Sequence, residues 1–282
     1  AAAPVFTMLV FRYGIIGNWW WWLPFAIWMP LVAVLWSKFY RRLNIVTTAE
    51  FLDVRFGGRE VPLFRGLYAL VMSLGWAVFL NAFAIAWIMK VLSPVLVWNE
   101  WTVVLFALSL TLVYSTLSGL FGVVFSDIIQ FLLFFAANLI LVPTILHHSG
   151  GLSAVTDQAL ALRGPEFFHP LPPFGEIAGM TFIMLLIQGL FFASSPAAGE
   201  GYTAQRFLAA RNETHAQAGQ LFSAFLTLIV RVIPFLLLGI AAAALFPKDI
   251  ADPDGIWGFL ISRFSFPGLT GLLIVTEMAA FM

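Results

Sequence analysis

The sequence predicts an all-α polytopic membrane protein, and three observations carry the prediction. Of its 282 residues, 61% are hydrophobic and 10% charged, where a soluble domain carries roughly 25% charged residues. So little polar surface cannot cover the chain in water. The apolar residues gather into runs close to the ~20 that a bilayer-crossing helix needs. These runs are too long and too uniformly apolar to be the short alternating strands of a membrane barrel. Composition also excludes other classes. Fourteen basic residues balance fourteen acidic ones, so no basic excess points to nucleic acid. The absence of cysteine excludes disulfides, thiolate zinc sites and cysteine nucleophiles. Four scattered histidines give no metal-ligand spacing, and no grouping of acid, base and nucleophile suggests an enzyme. No cofactor is expected.

The segments read as one transmembrane domain over 1–282, with spans near 1–13, 18–38, 62–92, 101–117, 121–146, 176–197, 216–246 and 266–282. The first is partial. Ala1-Ala2-Ala3-Pro4 has neither an initiator Met nor a basic n-region, so it is not a signal peptide. Met282 also falls in an apolar run, and the chain reads as a fragment. Pro4 would open the ladder of a helix that began before residue 1. The second segment starts with Trp19-Trp20-Trp21-Trp22, an aromatic anchor at the outer interface. The loop after it holds Lys38, Arg41, Arg42, Arg55, Arg59 and Arg65, and the loop after the sixth holds Arg206 and Arg211. Single crossings put both loops on one side, which the positive-inside rule makes cytoplasmic. Within the basic loop, Thr47-Thr48-Ala49-Glu50-Phe51-Leu52 reads as a short capped amphipathic helix lying along the membrane face, because a hydroxyl precedes a carboxylate by three residues.

Between the fourth and fifth segments the apolar sequence YSTLSGLFGVVFSDIIQ (114–130) breaks at glycines and then places Asp127 among Phe, Val and Ile. The loop 147–175, with Gly150-Gly151 and four prolines, lies outside. The sixth segment ends in FASSPAAG (192–199), whose Ser194, Ser195, Pro196 and Gly199 cannot sit inside a regular helix. Backbone broken at membrane depth is tolerated only where it is buried or lines a cavity, and such breaks are where carriers hold solute and ion.

Ionisable residues deep in a bilayer cost roughly 2.5–3.5 kcal/mol each on insertion scales and usually face a bundle interior or a wet cavity. Asp127, Arg231 (in LIVRVIPF) and Glu277 (in IVTEMAAF) are such residues. Asp127 has two readings: a carboxylate steering a sodium ion or a proton near the cytoplasmic mouth, or a solvated carboxylate at the helix start. Arg231 is read first as half of an internal ion pair with Glu277, and second as a solute contact. Glu200 is placed to pair with Arg206.

Three motifs then carry a family resemblance. YSTLSGLFGVVFSDIIQ (114–130), TAEFLDVRFGG (48–58) and QRFLAARNETHA (205–216) resemble, in order and spacing, motifs of the sodium/solute symporter family. The resemblance spans the whole chain. It implies a LeuT-like fold, two inverted repeats of five helices, here reaching about core helices 1 to 8. It also implies sodium-coupled symport of a small organic solute by alternating access, in a cell membrane of bacterial inner-membrane type. Its partners would be lipid, solute and the coupling ion Na+, with no nucleic acid. Two alternatives stay open: a symporter-like sensor module attached to a signalling domain, and proton coupling.

The resemblance also implies site residues. Asp127 matches the aspartate on the family's sodium exit path, and Ser126 keeps a hydroxyl where the motif has threonine. The eighth-helix carbonyl of the sodium site falls at Ala280, and the rest of that site falls beyond the chain's ends. Solute-cavity candidates are Pro4, Ala193, Ser194, Ser195, Thr227 and Arg231. Sugar-transporting members carry amides at the positions of Pro4 and Ala193 and a lysine at that of Thr227, so a sugar is not expected. Arg231 offers a fork for a carboxylate. Glu200, Arg206 and Glu277 are expected in structural ion pairs.

Overall fold

The computed structural model describes residues 2–92, 99–172, 177–192, 201–247, 250 and 252–281, and the described residues contain helices and no strands. In chain order the α-helices are α1 (Ala2–Tyr13), α2 (Trp19–Leu31), α3 (Ser37–Leu43), α4 (Phe51–Arg55), α5 (Val61–Leu70), α6 (Val78–Leu92), α7 (Glu100–His148), α8 (Leu152–Arg163), α9 (Ile177–Ile187), α10 (Gly201–Leu208), α11 (Glu213–Phe225), α12 (Val232–Leu245), α13 (Ile256–Phe264) and α14 (Pro267–Phe281). Four π-helical turns interrupt the rods, at Val32–Trp36, Val71–Ala77, Gln188–Phe192 and Leu226–Val230. Among the described residues, four stretches are long and apolar enough to cross a membrane: Ile15–Leu43, Val61–Ala86, Ser115–His148 and Glu213–Leu245. None of the most apolar window of Val61–Ala86 is buried inside the protein, so its outer surface matches lipid and not water.

The 49 residues of α7 would make a rod of roughly 70 Å, against a hydrocarbon core of about 30 Å. The chain does not build one. Gly119 takes φ 59°, ψ −165° inside α7, a conformation open to glycine and closed to residues with a Cβ, so two helices meet there at a kink.

The described residues form two compact units: 1–18, 82–170 and 231–282, and 19–81 and 171–230. In the first, α1 packs on α12; Phe6, Val10 and Phe11 of α1 and Phe235, Leu238, Ala242 and Ala243 of α12 are buried. The two backbones approach at Gly239, where an added Cβ would lie 2.5 Å from Val10 Cβ and 3.1 Å from the Thr7 carbonyl. Helices in lipid gain little from hydrophobic burial and associate through such close contacts of small residues. Phe134 of α7 stacks on Phe235 of α12 at 5.8 Å. The Trp257 indole donates to Asn138 Oδ1 (3.3 Å). Arg163 ends α8, the helix that occupies much of the long outer loop. It donates to the carbonyls of Ala243 and Phe246 at the end of α12 and lies 4.7 Å from the Phe11 ring. A helix end leaves carbonyls unmet, and a cation there satisfies both the carbonyls and the dipole.

In the second unit the core is Trp28, Met29, Val32, Phe207, Ala216 and Ala224. Arg42 and Glu213 form a bidentate pair at 2.7 and 2.8 Å. The loop between α3 and α5 is tied by Arg65, 2.6 Å from Asp53 and 3.6 Å from Glu50. The cap on this loop is one-sided. Glu50 accepts from the Val46 amide (3.0 Å) and the Thr47 hydroxyl (3.1 Å), while Thr47 makes no cap bond to the helix.

Two predictions follow from this packing. Gly239→Ala should destabilise the purified protein by about 1–3 kcal/mol, because a short branched side chain and a backbone carbonyl cannot move aside. Gly219→Ala, with open space around it, is the control; equal thermal midpoints for the two would refute the close approach. The second concerns Glu50, whose carboxyl is held below its ordinary range, chiefly by the Val46 amide and then by the Thr47 hydroxyl and Arg65. A carboxyl lowered in the folded state stabilises above its unfolded pKa and loses that effect as pH falls through the folded one. Protection of the amides over 46–55, taken relative to their intrinsic exchange rates at each pH, should therefore fall on acidification through the lower carboxylate range. Glu50→Gln should exchange quickly at every pH.

Candidate functional site

Asp127, Arg231 and Glu277 all belong to the first unit. Arg231 stands where the π turn Leu226–Val230 gives way to α12. Pro234, four residues after Val230, has no amide to give that residue's carbonyl. A looser turn at this place accommodates the missing bond. Arg231 is partly buried, and its Nε has no hydrogen-bond partner among the described residues. Glu277, on α14, is fully buried. In an interior of low dielectric a buried charge is tolerated when an opposite charge stands near, which is what the sequence reading expects of Arg231 and Glu277.

Asp127 lies about two turns beyond the Gly119 kink on α7, half-buried. The neighbouring Ser126 hydroxyl donates to the Val123 carbonyl at 3.0 Å, which leaves its lone pairs free to accept or to face a cation. Pro4 is buried near the first described residues of α1. Ala280 is on α14, its side chain outside the described residues. Ala193, Ser194, Ser195 and Glu200 also lie outside them, and with Glu200 the expected pairing to Arg206. Arg206 itself is exposed on α10. Thr227 is half-buried inside the π turn Leu226–Val230.

Two features here escaped the sequence reading. In the second unit, Trp22 donates its indole N–H to the Leu228 carbonyl at 2.7 Å, and Gln217 donates to the Val34 carbonyl at 3.2 Å. Each acceptor belongs to a π turn. The tryptophan run is thus more than an interfacial anchor: Trp19 packs edge-on against Trp22 and Phe182, and Trp22 reaches inward. The signal available in sequence was Pro234, which marks a loosened carbonyl but not its partner.

A family model described as sodium:solute symporter family matches residues 6–282. The chain belongs to the sodium:solute symporter family. The sodium/glucose cotransporter 4 of Mus musculus is 25% identical over 86% of this chain and 39% of its own length. A sodium/mannose cotransporter of Bos taurus is 24% identical over 89% of this chain and 47% of its own. The chain thus spans less than half the length of these curated relatives. A solved structure of a Na+-coupled sialic acid symporter in a substrate-bound outward-open state superposes with a TM-score of 0.68. It is 22% identical, over 99% of this chain and 61% of that one. The symporter chain described here is therefore a multi-pass membrane protein with the LeuT-like fold.

Arg231 and Glu277 define a measurable coupling. Arg231→Gln and Glu277→Gln should each destabilise by about 3–5 kcal/mol by stranding a buried charge. The double variant should recover about 0.5–3 kcal/mol relative to their sum. Strict additivity in thermal or denaturant unfolding would show that the two charges act independently.

Proposed function

We propose that this chain is the sodium- and solute-handling region of a secondary active transporter that couples Na+ entry to uptake of a small organic solute by alternating access. The observation that carries the reading is the family match over nearly the whole chain, supported by relatives named as sodium cotransporters. Asp127 and Ser126 would lie on the ion's exit path, and the Ala280 carbonyl would be one ligand of the sodium site. Pro4, Ala193, Ser194, Ser195, Thr227 and Arg231 would border the solute. Glu277 would stay a structural partner of Arg231. The protein would work in a cell membrane and carry out transport and not a chemical conversion.

Coupling of this kind requires each ligand to favour one conformation over the other. The membrane potential adds about 2.3 kcal/mol per charge per 100 mV to sodium entry. The relatives are named for glucose and mannose, yet Pro4, Ala193 and Thr227 replace the polar set expected for sugars. That argues for another solute, and Arg231 for one bearing a carboxylate. The sensor and proton-coupled readings gain nothing from relatives named as sodium cotransporters.

In the full-length protein, Asp127→Asn should slow sodium-dependent uptake by about tenfold, the worth of one charge-assisted contact, with little loss of expression. Uptake unchanged at all sodium concentrations would remove Asp127 from the path. Varying sodium at fixed pH, then pH at fixed sodium, separates the two coupling ions. Uptake unaffected by Arg231→Gln would remove the carboxylate-bearing solute.

A further inference from the structure

The loop between the spans Ile15–Leu43 and Val61–Ala86 carries a feature that transport does not use. Both its ends are tethered to a span, so a membrane surface is always within its reach. It exposes Val46, Phe51, Val54 and Phe56, and α5 begins with exposed Leu63 and Phe64. Leu52, Phe56, Val61 and Phe64 wall an open pocket, with Glu60 beside them. The charges around it divide into two groups. Arg42 is engaged by Glu213, and Arg65 by Asp53 and Glu50. Arg55 and Arg59 are exposed and have no ion-pair partner among the described residues; Arg55 lies 5.7 Å from the Phe56 ring.

We propose that this pocket and these two arginines form a binding site for an anionic phospholipid of the cytoplasmic leaflet. An acyl chain would pack on Leu52, Phe56, Val61 and Phe64, and Arg55 and Arg59 would hold the phosphate. Charge and apolarity select the occupant together. A soluble polyanion would have no use for the pocket, and a zwitterionic lipid, whose own cationic headgroup offsets its phosphate, would bring the two guanidinium groups no net counter-charge. Basic residues next to a span are attracted to the anionic inner leaflet, about fivefold in affinity for each side chain. Apolar side chains in the same element add burial at the headgroup boundary.

The test is lipid retention by the purified full-length protein in native mass spectrometry, with phosphatidylglycerol and phosphatidylcholine supplied in equal amounts. The wild type should keep phosphatidylglycerol in preference. R55Q/R59Q should lose that preference by about thirtyfold, and Phe56→Ala should weaken retention of both lipids. Arg42→Gln, which breaks only the Glu213 pair, should retain the preference. Equal retention of the two lipids by the wild type would overturn the proposal, and this comparison needs no variant. Undiminished phosphatidylglycerol binding by R55Q/R59Q would overturn it as well. Neither result bears on sodium-coupled uptake, which is measured separately.

Discussion

Everything in this structure answers to one constraint: a backbone group freed inside an apolar medium must find a partner within the protein. Water is not there to supply one, and each unmet group costs several kcal/mol. The helices satisfy most groups by themselves. Where they loosen, side chains from other helices take over. The Leu228 carbonyl in one π turn receives the Trp22 indole, and the Val34 carbonyl in another receives the Gln217 amide. At the end of α12, Arg163 covers the carbonyls of Ala243 and Phe246. These three donors sit far from their acceptors in sequence, so the irregular turns double as tertiary ties.

The same medium sets how the helices attract. Lipid tails are as apolar as leucine, so burial of apolar surface favours no partner over another. Close approach and directed polar contacts remain. Gly239 lets α12 come against Val10 and Thr7 of α1, and the run Ala241–Ala244 keeps the following turn narrow. Asn138 and Trp257 supply a polar contact between α7 and α13. The first unit is thus held by small residues, an aromatic stack and a few hydrogen bonds, with Glu277 buried in it.

Sequence made the class and the family legible because both rest on features written in consecutive residues. Apolar runs, the glycines before Asp127 and the three motifs are local, and Gly119 does take the conformation that only glycine tolerates freely. What depends on distant partners was not legible. Pro234 announces a free carbonyl at Val230, but nothing in LIVRVIPF names Trp22 as the donor two residues back. The loop 147–175 looked irregular because its glycines and prolines stand out. Yet LSAVTDQALALR between Gly151 and Gly164 forms α8, burying Val155 and Ala159 one turn apart. Thr47 and Glu50 have capping-box spacing, but Glu50 supplies the cap alone.

The charges of the spans also sort by chemistry. Arg231 and Glu277 place opposite signs in one unit, where each would lower the other's cost. Asp127 differs in kind. It is half-buried, stands just past a kink that only glycine permits, and is followed by apolar sequence to Phe135 broken only by Gln130. Beside it, Ser126 has given its proton to the Val123 carbonyl, so the oxygen turned outward from that bond can only accept. A half-buried carboxylate suits a hard cation and repels an anion. On that chemistry, more than on the depth of Asp127, the proposed sodium path at this end of α7 rests.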